Sequence, residues 1–181
     1  MSQEFIDAVL EFARNSVGEQ EISGNQGFES ERFETLMKQV GWQKGQAWCA
    51  YFAEACWTVP TYKGKSKYLS EMQRLFSGGA VATYNNFKRK GGELFTVSKE
   101  PEEGAVVIWQ KHKVVEDTIM PHWSGHAGIV ESIIDENTIE CIEGNTNDSG
   151  GREGIEVARK VRRVDFTPKA GLVMKGFIKL A

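Results

Sequence analysis

Cysteine is scarce in this chain of 181 residues, and the scarcity excludes several classes at once. Three cysteines cannot all pair, so a disulfide-stapled module is not expected. Cys49, Cys56 and Cys141 are also spaced too irregularly for a C-x-x-C zinc framework. Nor is there an excess of positive charge, because the formal net charge is −3. The basic runs "KRK" (88–90) and "RKVRR" (159–163) are short and read as solvated faces, so nucleic-acid binding is not expected. Long apolar runs are missing as well. The opening "MSQEFIDAVLEFARN" interleaves acids with its apolar residues, so it is expected to be neither a signal peptide nor a membrane anchor. Synthesis in a cytoplasm is therefore expected, with release or delivery by other means if the protein acts outside.

Prolines number only four, no repeat or low-complexity tract occurs, and 40% of the residues are hydrophobic. That is the composition of a folded protein, and the length suits one domain with a sizeable core. A single domain over 1–181 is expected, helical over about 1–100 and β-rich over about 104–181. Residues 3–17 carry Phe5, Val9, Phe12 and Ala13 at helical spacing behind Ser2, a natural cap. "VGEQEISGNQGFES" reads as a loop. Phe33, Leu36, Met37 and Val40 mark a second helix ended by Gly41, and a third begins near Cys49. The region 59–82 reads as a loop and a short helix, and "ATYNNFKRKGG" as another helix. After Gly104 the runs "GAVVIWQ", "HAGIVESII", "TIECIEG", "GIEVARKVRRV" and "VMKGFIKL" read as strands. "IIDENTIE" supplies a hairpin turn near Glu136–Asn137.

The chemistry turns on "QAWCAYFAEACW" (46–57). Cys49 stands where a polar loop becomes a helix, and the unpaired N–H groups of that first turn favour a thiolate. By position alone a reactive thiol and a packed small side chain remain equally open. Cys56, two turns on, and Cys141, within a strand, read as core. In "WSGHAGIVESII", His126 lies between Gly125 and Ala127 at the entrance of a strand, with room to be approached. The hairpin would bring Glu143 or Asn145 to the level of His126–Ile129, with both on one face if alternation holds. A thiol, an imidazole and a group orienting the imidazole make a nucleophilic constellation.

Among the aromatics, Trp48 and Trp123 flank the two reactive candidates and are taken as groove residues, whereas Trp57 and Trp109 read as core. The Cys49 N–H would stabilise an oxyanion, and Gln46, ahead of the more exposed Gln43, would be the second donor. His122 and His126 stand four apart, a zinc spacing on a helix, but Pro121 and the glycines argue against a helix, and no metal or cofactor is expected.

"WCAYF", "GHAGIV" and "EGN" resemble the motifs of the CHAP family, the cysteine- and histidine-dependent amidohydrolases/peptidases that cut bacterial peptidoglycan. The likeness extends through "GEQEISGNQG", "GWQKGQAWCA" and "GAVVIW", a pattern similar to CHAP proteins of phage and prophage origin. It implies a papain-like α+β fold, with N-terminal helices packed on a five- to six-stranded antiparallel sheet. It also implies Cys49 as nucleophile, His126 as base, Glu143 as orienting acid and Asn145 as the residue completing the site. Two features depart from the pattern. "VGWQKGQAW" holds no Asp or Glu, so the calcium loop of some CHAP lysins is not expected, and Gly104-Ala105-Val106 replaces the usual Gly-Asp-(Val/Ile). The implied activity is amidase or endopeptidase cleavage of peptidoglycan by a monomer: an endolysin, a virion-associated lysin or a delivered antibacterial effector, released by a holin or an injection device. A lapsed wall-binding module and a thiol acyltransferase or isopeptidase are the alternatives.

Overall fold

The computed structural model describes residues 2–64, 68–146 and 154–181. Its helices come first: α1 (Gln3–Asn15), α2 (Glu31–Gln39), α3 (Cys49–Gly64), α4 (Leu69–Leu75) and α5 (Ala80–Lys90). A two-stranded hairpin, β1 (Glu21–Ile22) with β2 (Gly27–Phe28), lies between α1 and α2. Six strands follow: β3 (Phe95–Ser98), β4 (Val106–Val115), β5 (Thr118–Asp135), β6 (Thr138–Thr146), β7 (Glu156–Arg163) and β8 (Gly171–Leu180). They form one antiparallel sheet in the order β3-β8-β4-β5-β6-β7. The fold is thus α+β, as the order of sequence patterns implies.

Local sequence accounts for the helix limits. Ser2 Oγ accepts from the Phe5 N–H, and Ser30 Oγ accepts from the Phe33 N–H, each satisfying a donor of the first turn. Gly41 ends α2 at φ 88°, with the Trp42 N–H bonded to the Met37 carbonyl and the Gly41 N–H to that of Lys38. This doubled closure is the Schellman arrangement, which needs a left-handed residue at that place. Several elements differ from the sequence reading, and β4 and β5 run on past the expected limits to meet at Val115–Thr118. The stretch 17–30 holds the β1–β2 hairpin, whose two-residue strands are too short to show alternation. β3 is likewise a short strand, pairing with β8 at the sheet edge. The region 59–82 does not begin as a loop, because α3 continues through Pro60 to Gly64; residues 65–67 lie outside the described part, and α4 follows them.

The sheet separates two apolar clusters. The larger lies beneath the helices and gathers Val9, Phe33, Phe52 and Trp57 with Val106, Ile108, Ala127, Ile129 and Ile142. The smaller covers the other face with Val107, Trp109, Val130, Ile139, Cys141 and Phe177, under Val164 and Phe166. Neighbouring residues of β5 and β6 alternate between the two clusters, as a pleated strand requires. Among the described residues no helix is long and apolar enough to cross a membrane.

Candidate active site

Cys49 owes its position to the turn before it. The Gln43 N–H donates to Gln46 Oε1 at 3.0 Å, the Gln46 N–H returns to the Gln43 carbonyl, and Trp42 Nε1–H holds the Gln46 carbonyl at 2.8 Å. Trp48 then drives into the core. It is fully buried, edge-on to Phe28, Phe33 and Phe52, and its indole N–H donates to the Glu21 carboxylate. The expectation that Trp48 lines a groove is therefore corrected: its ring anchors the start of α3 and reaches no surface. Cys49 follows as the first residue of that helix and keeps only 7% of its surface exposed.

The imidazole comes from the opposite side of the sheet. His126 pairs with Trp109 across β4 and β5, and the two rings lie 5.7 Å apart with a tilt of 34°, so the histidine shares the face of the smaller cluster. The pairing of β5 with β6 begins at Ile129–Ile142 and does not reach back to Ala127, so the strands part beside His126. The start of α3 fills the parting. The Cys49 sulfur there accepts from the backbone N–H groups of Ala127 and Ala50 and is hydrogen-bonded to the His126 side chain. A Cβ on Gly144 would stand 2.6 Å from the Trp48 ring and 2.7 Å from Phe52, so only glycine lets the helix approach β6 this closely.

Glu143 completes the line. Its Oε2 lies 2.8 Å from His126 Nε2, which leaves Nδ1 as the ring nitrogen for the sulfur. The carboxylate is wholly buried, and Gly128 makes room for it, since a Cβ there would come within 2.8 Å of Glu143 Cγ. Arg162 grips it from β7 in a two-pronged contact, Nε to Oε1 at 2.7 Å and Nη2 to Oε2 at 2.6 Å. The run "RKVRR" is thus a solvated face only in part, with Arg159, Val161 and Arg163 exposed. Arg162 enters this network, and Arg159, on the other side of the strand, joins Arg14 at Glu131. Neither destination is visible without knowing that β7 lies beside β6.

These contacts set the charges. Burial works against ionisation of Cys49, but the His126 hydrogen bond and charge outweigh it, and the thiol falls below its usual range. Burial likewise disfavours a charged His126, yet the sulfur and Glu143 raise its pKa to about 10. Burial opposes the Glu143 charge too, but Arg162 and His126 bring the carboxyl down to about 2. Thiolate, imidazolium and carboxylate are therefore the mutually stabilised forms. Cys56 and Cys141 sit in apolar surroundings that push both thiols well up, as befits core cysteines.

The remaining candidates divide. Gln46 is exposed, and its Oε1 also accepts from the Tyr51 hydroxyl at 3.0 Å, which orients its amide as a donor beside the start of α3. Asn145 departs from the expectation of a shared face with Glu143. Its backbone is left-handed at φ 55° and the β6–β7 register shifts between Glu143 and Thr146, so alternation does not carry through. Trp123 is 79% exposed. It stands in a bulge where His122–Ser124 of β5 oppose the single Lys111 of β4. Lys175 Nζ donates to Gln110 Oε1 and Gln110 Nε2 to the His122 carbonyl, which braces the bulge. His122 and His126 lie on a strand, and the His122 ring bonds to Ser124.

No curated protein and no solved structure matches the chain. The family model of the CHAP domain matches residues 41–145, a span that opens at the glycine ending α2 and closes just past Glu143. More than half of the sequence lies inside that match, and Cys49, His126 and Glu143 fall within it; the chain belongs to the CHAP family, with the amidohydrolase activity of peptidoglycan-hydrolase type that this membership implies.

Proposed function

We propose that the protein hydrolyses an amide bond of bacterial peptidoglycan through a thioacyl-enzyme on Cys49. One observation carries the reading: a thiol at a helix start is hydrogen-bonded to an imidazole whose other nitrogen is held, at 2.8 Å, by a buried carboxylate. In this scheme the Cys49 thiolate attacks the amide carbonyl, and the backbone N–H of Cys49 and the Gln46 amide receive the developing oxyanion. The His126 imidazolium protonates the leaving amine, which departs as the thioester forms. The neutral imidazole then takes a proton from water, the resulting hydroxide displaces the sulfur, and the acid is released.

Glu143 keeps the ring in the tautomer and orientation that both proton transfers need. Asn145, half-buried near the end of β6, is assigned to the edge of the site that meets substrate, as is Trp123, whose exposed ring suits a sugar or peptide face. Mass spectrometry of digested sacculi tests the reaction. Each cut should add one water and expose one new amine, at the first alanine for an amidase or within the stem or cross-bridge for an endopeptidase. Products carrying an acceptor amine in place of water would assign a transferase instead, and intact sacculi would contradict the reading.

A further inference from the structure

We propose that Arg162 is a positioning residue that holds Glu143 and Trp109 on two sides of the His126 ring, and thereby sets how readily Cys49 gives up its proton. The inference rests on the thiol–imidazole reading above but concerns a residue of β7, beyond the span matched by the family.

Three contacts carry it. Arg162 takes both oxygens of Glu143, and one of them, Oε2, is the oxygen that meets His126 Nε2. The same guanidinium lies 5.5 Å over the Trp109 ring, and that ring lies against the imidazole, tilted to it by 34°. One side chain thus fixes what abuts the edge of His126 and what covers its face. The reach is deliberate in geometric terms. Arg162 is paired in register with Ile139, so its side chain runs along the sheet to arrive at Glu143, four residues further on. A buried carboxylate with a single partner would be free to turn or to take up a proton; a fork of two charge-assisted bonds permits neither. Glu143 therefore stays ionised and aimed, which favours the imidazolium and, through it, the thiolate.

The test is the pH dependence of Cys49 alkylation by iodoacetamide, followed by peptide-mapping mass spectrometry in wild type, Arg162→Ala and Arg162→Lys. Cys56 serves as the buried internal reference. In Arg162→Ala the midpoint should rise by about one pH unit. Arg162→Lys, which keeps the charge but not the fork, should recover part of the shift. Sacculus hydrolysis at neutral pH should fall about tenfold or more in Arg162→Ala, in kcat rather than KM. Folded variants with an unmoved or lowered midpoint would overturn the proposal, since a purely structural ion pair would change only the melting temperature. Collapse of both variants would assign Arg162 to the fold and overturn it equally. Should wild type leave sacculi intact while the alkylation shift appears, the hydrolase reading fails and the role of Arg162 stands.

Discussion

His126 Nε2 and Glu143 Oε2 lie 2.8 Å apart across two strands that have parted just past their last pair, Ile129–Ile142. The contact comes from the end of one hairpin, so a few residues of register decide it. It also defines which ring nitrogen is left for sulfur, and the consequences can be measured.

Glu143→Gln keeps the shape of the side chain but removes the charge and leaves Arg162 facing an amide. The activity on sacculi should fall by about a hundredfold or more. The alkylation midpoint of Cys49 should move up in the same variant, because an uncharged partner no longer favours the imidazolium. An unchanged midpoint would show that the ion pair is independent of Glu143.

Gly144→Ala tests how α3 is seated. The added methyl would press on Trp48 and Phe52, and the helix start would have to withdraw from the parting between β5 and β6. A stability loss of about 1–3 kcal/mol is expected from overpacking of this kind. Alkylation of Cys49 should lose its low-pH midpoint as the sulfur leaves His126. Denaturant unfolding and alkylation of one preparation read both effects.

Glu54 supplies a pH dependence away from the reactive line. It is buried within α3, and burial raises its carboxyl to about 8. A carboxyl raised in the folded state binds its proton more tightly folded than unfolded. Stability is therefore highest below the ordinary carboxylate range and declines as pH rises from about 4.5 towards 8. Glu54→Gln, a shape-preserving neutral substitute, should flatten that decline and stabilise the fold at pH 7 by on the order of 3 kcal/mol. Melting curves at pH 5 and pH 8 decide it; parallel declines in both proteins would place the cause elsewhere.

Trp123→Ala should leave the melting temperature unchanged, because the ring is exposed and its bulge is braced through Gln110. A several-fold rise in KM for solubilised peptidoglycan, with kcat preserved, would mark a binding residue. Equal KM values would remove Trp123 from the rim.

Much of this arrangement was legible in the residues. The shift from a helical period to short Val- and Ile-rich runs after Gly104 gave the α+β order, and the turn at Glu136–Asn137 placed Glu143 near His126. What stayed hidden depended on order and approach in space. The sheet inserts β8 between β3 and β4, so no local pattern announces that β7 is an edge or that Arg162 lies on the face of the smaller cluster. Trp48 precedes the helix by one residue, where either an outward or an inward ring is possible; Glu21, 27 residues earlier, decides the matter by accepting its N–H. Asn145 was placed by strict alternation, which the close approach of α3 to Gly144 interrupts. The glycines at 128 and 144 were visible as parts of "GHAGIV" and "EGN", but their reason, room for Glu143 and for the α3 aromatics, is a property of the packed structure.

The most direct measurement compares wild type with Cys49→Ala on purified sacculi, counting new amines by mass spectrometry while circular dichroism confirms equal folding. Wild type should release them and the variant should release none. Equal release by the two proteins would contradict a covalent role for that sulfur, and with it the account of the site.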